Sequence, residues 1–260
     1  MKRLFPALLF SLCLLALCAC GQDALPAVTT AEVIATEETT TAIPSTTQAP
    51  TMPPIEYPAS YKDAPEAYKP VLDELYKFVY ILVNDIRPID ENELFGKSGG
   101  IADTPGSVFS YGGFQSGYVG YAIKDINGDG TPELILLNKE STILSLFTLK
   151  DNKPVLLGSY SRREYCGGIA ADGTIYTVGR AGAAAYSLTA SNQKPGASEL
   201  TELTYFYCDA DYNAEPTAFF YRQVINGEER DITHERFQEL MSQYSTPPTP
   251  MQFTFIPIEQ

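Results

Sequence analysis

The sequence predicts an α+β fold: an N-terminal amphipathic helix, an antiparallel β meander and a short C-terminal helix. Three observations predict it. Apolar residues recur at three- and four-residue steps over residues 66–86, and from residue 118 the pattern changes to short β-rich runs divided by Asp, Asn and Gly. Thr233 then stands ahead of a last amphipathic run over residues 234–244. All three lie within residues 61–260, a length that suits one domain and can bury a sizeable core.

Ahead of that domain the chain has two other parts. Met1-Lys2-Arg3 is a short basic start, and residues 4–18 are apolar apart from Ser11 and interrupted only by Pro6, a run too short for a comfortable membrane span. The segment closes Leu17-Cys18-Ala19-Cys20-Gly21. A small residue before a cysteine after such a run resembles the lipobox of bacterial lipoproteins. That resemblance implies a signal peptide over residues 1–19, a diacylglyceryl group on the Cys20 thiol and an anchored protein facing the extracellular side of the cell membrane. The alternative is an ordinary secretory signal in which Cys20 follows Ala19 by chance. Residues 20–60 form a tether: residues 21–58 hold nine Thr and six Pro, and no Lys or Arg stands between Arg3 and Lys62. Such a composition cannot bury a core.

The helix over residues 66–86 carries Val71, Leu72, Leu75, Phe78, Val79, Leu82 and Ile86 on one stripe, with Pro65 or Pro70 in its first turn and Arg87-Pro88 at its end. Residues 96–120, rich in Gly, Ser and Tyr without a period, read as loop and irregular strand. Strands follow at 118–124, 133–137, 143–149, 155–160, 168–170, 174–178, 183–188, 203–207 and 218–225, with turns at Asp151-Asn152, Asp172-Gly173 and Asn226-Gly227. Thr233 N-caps the terminal helix, whose Phe237, Leu240 and Met241 face the sheet. Pro247-Pro248 stops it, and residues 253–256 read as a final edge strand.

Composition removes several functions. With 18 Lys+Arg against 32 Asp+Glu, a net charge of -14 and a pI near 4.5, nucleic acid is not an expected partner. A single His excludes zinc sites that need two, HExxH among them. No P-loop or GxGxxG pattern is present.

The most informative segment is Asp125-Ile126-Asn127-Gly128-Asp129-Gly130-Thr131-Pro132-Glu133. Side-chain oxygens fall at loop positions 1, 3, 5 and 9, Gly130 permits a sharp turn at position 6, and Thr131 offers its backbone carbonyl at position 7. Asp125, Asp129 and Glu133 bring three negative charges together, and a hard divalent ion relieves their repulsion. An oxygen set in a flexible loop suits Ca²⁺ better than Mg²⁺. This is not a full EF-hand, because Leu136 stands at position 12 and Pro132 at position 8. The order strand, loop, apolar strand is instead similar to the calcium loops of FG-GAP and VCBS-type β repeats, and residues 121–137 resemble a signature found in surface lipoproteins of Firmicutes. The resemblance implies a structural calcium ion but no activity, and with one such loop it implies no propeller. The competing reading of the same residues is a hairpin whose Asp and Asn side chains bond their own backbone without metal.

Other residues leave alternatives open. Cys166 and Cys208 are the thiols outside the signal and lipobox, and in an exported protein such a pair can form a disulfide. His234 sits beside Glu235 and Arg236, a solvated setting rather than a nucleophile's partner. Tyr111 to Tyr121, Tyr205, Tyr207, Tyr212 and Tyr221 could stack on sugar rings or a peptide, or simply be half-buried sheet residues. Asp209, Asp211, Glu228 and Glu229 allow a glycosidase-like carboxylate pair. The expected function is that of a surface-anchored binding lipoprotein with a structural Ca²⁺, its ligand a cell-wall polysaccharide or a protein. The alternative is a cell-envelope hydrolase.

Overall fold

The computed structural model describes residues 57, 59–84, 115–180, 185–211, 213, 217–225 and 227–259. The expected signal peptide, Cys20 and most of the expected tether lie outside these residues, as do Ile86, Arg87, Pro88, residues 96–114, Ala183, Tyr212 and Asn226. By contacts the chain divides into Met1–Thr51 and Met52–Gln260, and every described residue belongs to the second unit.

That unit is mostly antiparallel β-sheet with one helix ahead of the strands and a short one near the end. Two 3₁₀ turns, Ala59–Asp63 and Glu66–Tyr68, lead into α1, Lys69–Val83. The helix begins three residues later than the apolar period suggests because Pro70, without an N–H to give, takes a place in the first turn. Val71, Leu72, Leu75, Tyr76, Phe78, Val79, Ile81 and Leu82 are its buried residues.

The expected single meander is two sheets. In the first, β1 (Val119–Lys124), β2 (Glu133–Asn138), β3 (Ile143–Lys150) and β4 (Lys153–Ser159) run in sequence order, and β11 (Ile256–Pro257) closes the other edge beside β1. The second holds β5 (Glu164–Ile169), β6 (Ile175–Arg180), β7 (Tyr186–Gln193), β8 (Leu200–Asp211), β9 (Ala218–Ile225) and β10 (Glu228–Asp231), again in sequence order. The break falls at Tyr160, whose N–H still bonds Leu144 O but whose ring is buried between the sheets. Asp151 and Asn152, both at positive φ (53° and 59°), turn β3 into β4 as expected of a two-residue hairpin.

Strand β2 shows why the first sheet is buried on both faces. Leu134 and Leu136 join α1 in one apolar cluster, while Ile135 and Leu137 join Leu146, Cys166, Ile169 and Ile175 in a second cluster between the sheets. Side chains alternate across a strand, so the continuous apolar run 134–137 serves two layers. The second sheet is covered on its far side by α2 (His234–Tyr244), with Phe237 and Leu240 against Val178, Leu188 and Phe206. Thr233 caps that helix as expected, accepting the Arg236 N–H. β10 has four charged, exposed residues and so no apolar signal, which is why sequence periodicity misses it.

Candidate metal loop and its buried carboxylate

The connection between β1 and β2 brings the predicted residues into one network. Asp125 accepts from Gly128 N through Oδ1 (2.7 Å) and from Gly130 N through Oδ2 (2.9 Å). Asn127 Oδ1 accepts from Asp129 N, and Asp129 Oδ1 accepts from Thr131 N at 2.7 Å. These are the side-chain-to-backbone bonds of successive Asx turns. They let the chain reverse tightly, with Gly128 and Gly130 at φ 76° and 85° where a side chain would strain. Among the described residues, no group of three or more His, Cys, Asp or Glu side chains is drawn together around a point that could hold a metal ion.

Two carboxylates of the loop reach beyond it. Asp129 Oδ2 accepts from Gly196 N at 2.8 Å, across to the turn between β7 and β8. Burial alone would raise Asp129, but the N–H groups of Gly196 and Thr131 hold it below its ordinary value. Glu133 is wholly buried at the start of β2. Its Oε2 accepts from Ile126 N (3.0 Å) and its Oε1 from the Thr148 hydroxyl (3.0 Å). Thr148 Oγ1 in turn accepts from Gln193 Nε2 at 2.9 Å, and the same amide nitrogen donates to Ala197 O at 2.8 Å. Burial pushes the Glu133 carboxyl up, and the Asp129 and Asp125 charges add to that, against the lowering pull of its two hydrogen bonds. Among the described residues no Lys, Arg or His is paired with it.

Sequence reasoning misses Thr148, Gln193 and Gly196, because each meets the loop through the fold. One signal was available for Thr148: it is a polar residue in a strand otherwise buried and mostly apolar from Ile143 to Phe147. A second turn of the far sheet also presses on the loop. A side chain at Gly173 would lie 2.3 Å from Ile126 O, so only glycine allows this approach. Beside it a cleft of 510 Å³ is lined by Asp125, Asn127, Asp172 and Met251, among others.

The remaining candidates do not converge. Cys166 and Cys208 are not joined, and they sit on strands separated by β6 and β7. Three strand spacings amount to about 14 Å, twice what a disulfide spans. Burial pushes the Cys166 thiol up to about 12, so it is no nucleophile. His234 stacks on Tyr221 (5.0 Å) and its Nε2 meets Gln238, as part of the seat of α2. Glu229 is held by Tyr207 and Arg222, and Glu228 by Arg230, so these acids sit in surface ion pairs. Tyr205 and Tyr207 stack with each other at 5.5 Å, half-buried on one face of β8.

No family model matches the chain. No curated protein matches it. Among solved structures, one described as "Structure of a Xanthomonas Type IV Secretion System related protein" is similar at 13% identity, covering 43% of this chain and 57% of that one, with a TM-score of 0.26. Among the described residues no helix is long and apolar enough to cross a membrane.

Proposed function

We propose that the chain is a lipoprotein held at the outer face of the cell membrane through Cys20. In this reading its 125–133 loop takes up one structural Ca²⁺, and its folded part acts by binding, with a cell-wall polysaccharide or a protein as ligand. The address rests on Met1-Lys2-Arg3, the apolar run and Leu17-Cys18-Ala19-Cys20. α1 is amphipathic in this reading, with Lys69, Asp73, Glu74 and Lys77 only half-buried among its buried apolar residues. The stacked Tyr205–Tyr207 pair offers ring faces on which a sugar ring or a peptide side chain can stack.

Glu133 carries the calcium part. A carboxylate wholly out of water, with two more carboxylates in the same nine-residue loop and no basic partner among the described residues, is costly unless it takes up a proton or a cation joins it. In its chemistry the donor set fits a hard ion: Asp125, Asn127, Asp129 and Glu133 carry side-chain oxygens and Thr131 a carbonyl, all oxygen and no sulfur or imidazole, which an ion would draw together. The ion supplies positive charge that ties the β1–β2 hairpin together, and takes part in no chemistry.

Thermal unfolding of the full chain in detergent tests the reading, in EDTA and then with Ca²⁺ or Mg²⁺, beside Asp125→Ala and Asp129→Ala. A native-specific ion at 100 times its Kd adds about 2.7 kcal/mol. In a unit of this size that raises Tm by about 5 to 11 °C. A rise with Ca²⁺ that both variants abolish supports the loop as the site. Identical melting in EDTA and millimolar Ca²⁺ sinks it.

A further inference from the structure

Five loop oxygens are too few. The side chains of Asp125, Asn127, Asp129 and Glu133 and the Thr131 carbonyl give one oxygen each in the simplest arrangement, whereas Ca²⁺ takes about six to eight. Position 12, which closes an EF-hand with a bidentate Glu, is Leu136, wholly buried and without oxygen to offer. The remainder is made up by second carboxylate oxygens, by water or by a protein oxygen from outside the loop.

The second sheet holds a candidate. Gln193 is 4% exposed, and among the described residues its Oε1 has no hydrogen-bond partner. Its amide cannot simply be turned round, since Nε2 faces the Ala197 carbonyl at 2.8 Å and an oxygen there would be repelled. The side chain is anchored on the loop's own carboxylate by the chain Gln193 Nε2 to Thr148 Oγ1 to Glu133 Oε1. Three residues on, Gly196 N is bonded to Asp129 Oδ2. Gln193 thus lies between two contacts with acidic residues of the loop, with an unused acceptor out of reach of bulk water. A hairpin staple accounts for its two N–H bonds but leaves that oxygen unexplained.

We propose that Gln193 Oε1 is a ligand of the same cation, so that the coordination sphere spans both sheets and the ion clamps the β7–β8 hairpin onto the β1–β2 loop. The proposal rests on the calcium reading above and assigns the site a partner 60 residues from the end of its loop. It also makes the metal a fastener between sheets rather than a local stiffener of one turn.

Calorimetric titration of the full chain with CaCl₂ separates the possibilities, using wild type, Asp125→Ala, Gln193→Leu, Gln193→Asn and Gln193→Glu. Removing even an outer-shell group weakens metal binding about 10- to 100-fold. Gln193→Leu should lose at least that much. Gln193→Asn, which stays polar but draws the oxygen back by one methylene, should lose comparably, and Gln193→Glu should bind at least as tightly as wild type. If Gln193→Leu does not fold, the Asn and Glu variants decide. Affinities of the Leu or Asn variant within about twofold of wild type, with binding lost in Asp125→Ala, overturn this proposal and leave a self-contained calcium loop. Failure of wild type itself to bind Ca²⁺ overturns the calcium reading and this proposal together.

Discussion

Glu133→Gln is the substitution whose two effects run in opposite directions. The side chain is buried, its Oε2 accepts Ile126 N and its Oε1 accepts the Thr148 hydroxyl. A glutamine of the same shape can keep the first bond through its oxygen and give its amide hydrogen to Thr148 Oγ1 as the hydroxyl rotates. Without metal, the change removes a charge that burial and the neighbouring Asp129 and Asp125 disfavour. With metal, it removes a formal charge from the ion's shell. In EDTA at pH 8 the variant should therefore melt no lower than wild type. In Ca²⁺ at 100 times the wild-type Kd, wild type gains about 2.7 kcal/mol, or about 5 to 11 °C, and the variant a small fraction of that. The pH dependence carries the same sign. A carboxyl raised in the folded state above its ordinary value of 4.5 weakens the fold as pH climbs through that value to the folded one, and the penalty is constant above. In EDTA the stability difference between variant and wild type should thus grow with pH from 4.5 upward, whereas the Ca²⁺ gain of wild type should also grow, because only the carboxylate binds. Differential scanning fluorimetry across pH 4 to 8, with and without Ca²⁺, reads both slopes. A variant that melts well below wild type in EDTA yet keeps its Ca²⁺ response would refute the reasoning, since Glu133 would then stabilise as a charge without any ion.

Four other outcomes follow from the packing. Thr148→Val removes the hydroxyl that links Glu133 to Gln193 in a fully buried position, and should cost about 1 to 3 kcal/mol by urea unfolding. Phe206→Ala empties a wholly buried site where the ring meets Phe237 edge-on at 5.8 Å, and should cost about 3 to 5 kcal/mol, with α2 losing amide protection first. Gly120→Ala places a Cβ 2.2 Å from Ile256 O, so the β11 pairing must loosen; faster hydrogen exchange at Ile258 is the readout, and unchanged exchange would contradict the close approach. Peptide mapping without reductant should find Cys166 and Cys208 in separate peptides, and a crosslinked pair would mean that the strand order of the second sheet is wrong.

What the sequence makes legible is what is local. The Thr233 cap, the Asp151-Asn152 turn and the alternation inside the run 134–137 depend on neighbours within a few residues, and their side chains announce them. The break of the meander into two sheets is different, because nothing near Tyr160 looks unlike a turn between ordinary strands. β10 escapes because an exposed strand of Glu, Glu, Arg and Asp is held by its ladder to β9 and by surface ion pairs, neither of which leaves an apolar trace. The metal loop divides along the same line. Asp125, Asn127 and Asp129 accept backbone N–H groups of their own loop and stand out by spacing, while Thr148, Gln193 and Gly196 join from 15 to 67 residues away. A carboxylate at loop position 9 also looks the same in sequence whether it ends in water or, like Glu133, in the core.

The Asx-turn network and a cation need not compete for the loop. A carboxylate oxygen has two acceptor sites, and each Asp125 oxygen uses one on a backbone N–H, which leaves the other free for metal. The backbone bonds would then hold the side chains in place before an ion arrives, lowering the cost of ordering them on binding. For half-buried Asp125 and Asp129, water and backbone dipoles can stand in for an ion, so their geometry alone suits a metal-free turn as well as a bound one. Glu133 breaks that balance. It has no water to screen it, its two hydrogen bonds do not offset its burial, and two negative neighbours stand against it. The loop could form without calcium, and its ninth-position glutamate, enclosed by two sheets, is relieved either by a proton or, in the reading proposed above, by a cation; the Glu133→Gln comparison in EDTA and Ca²⁺ separates the two.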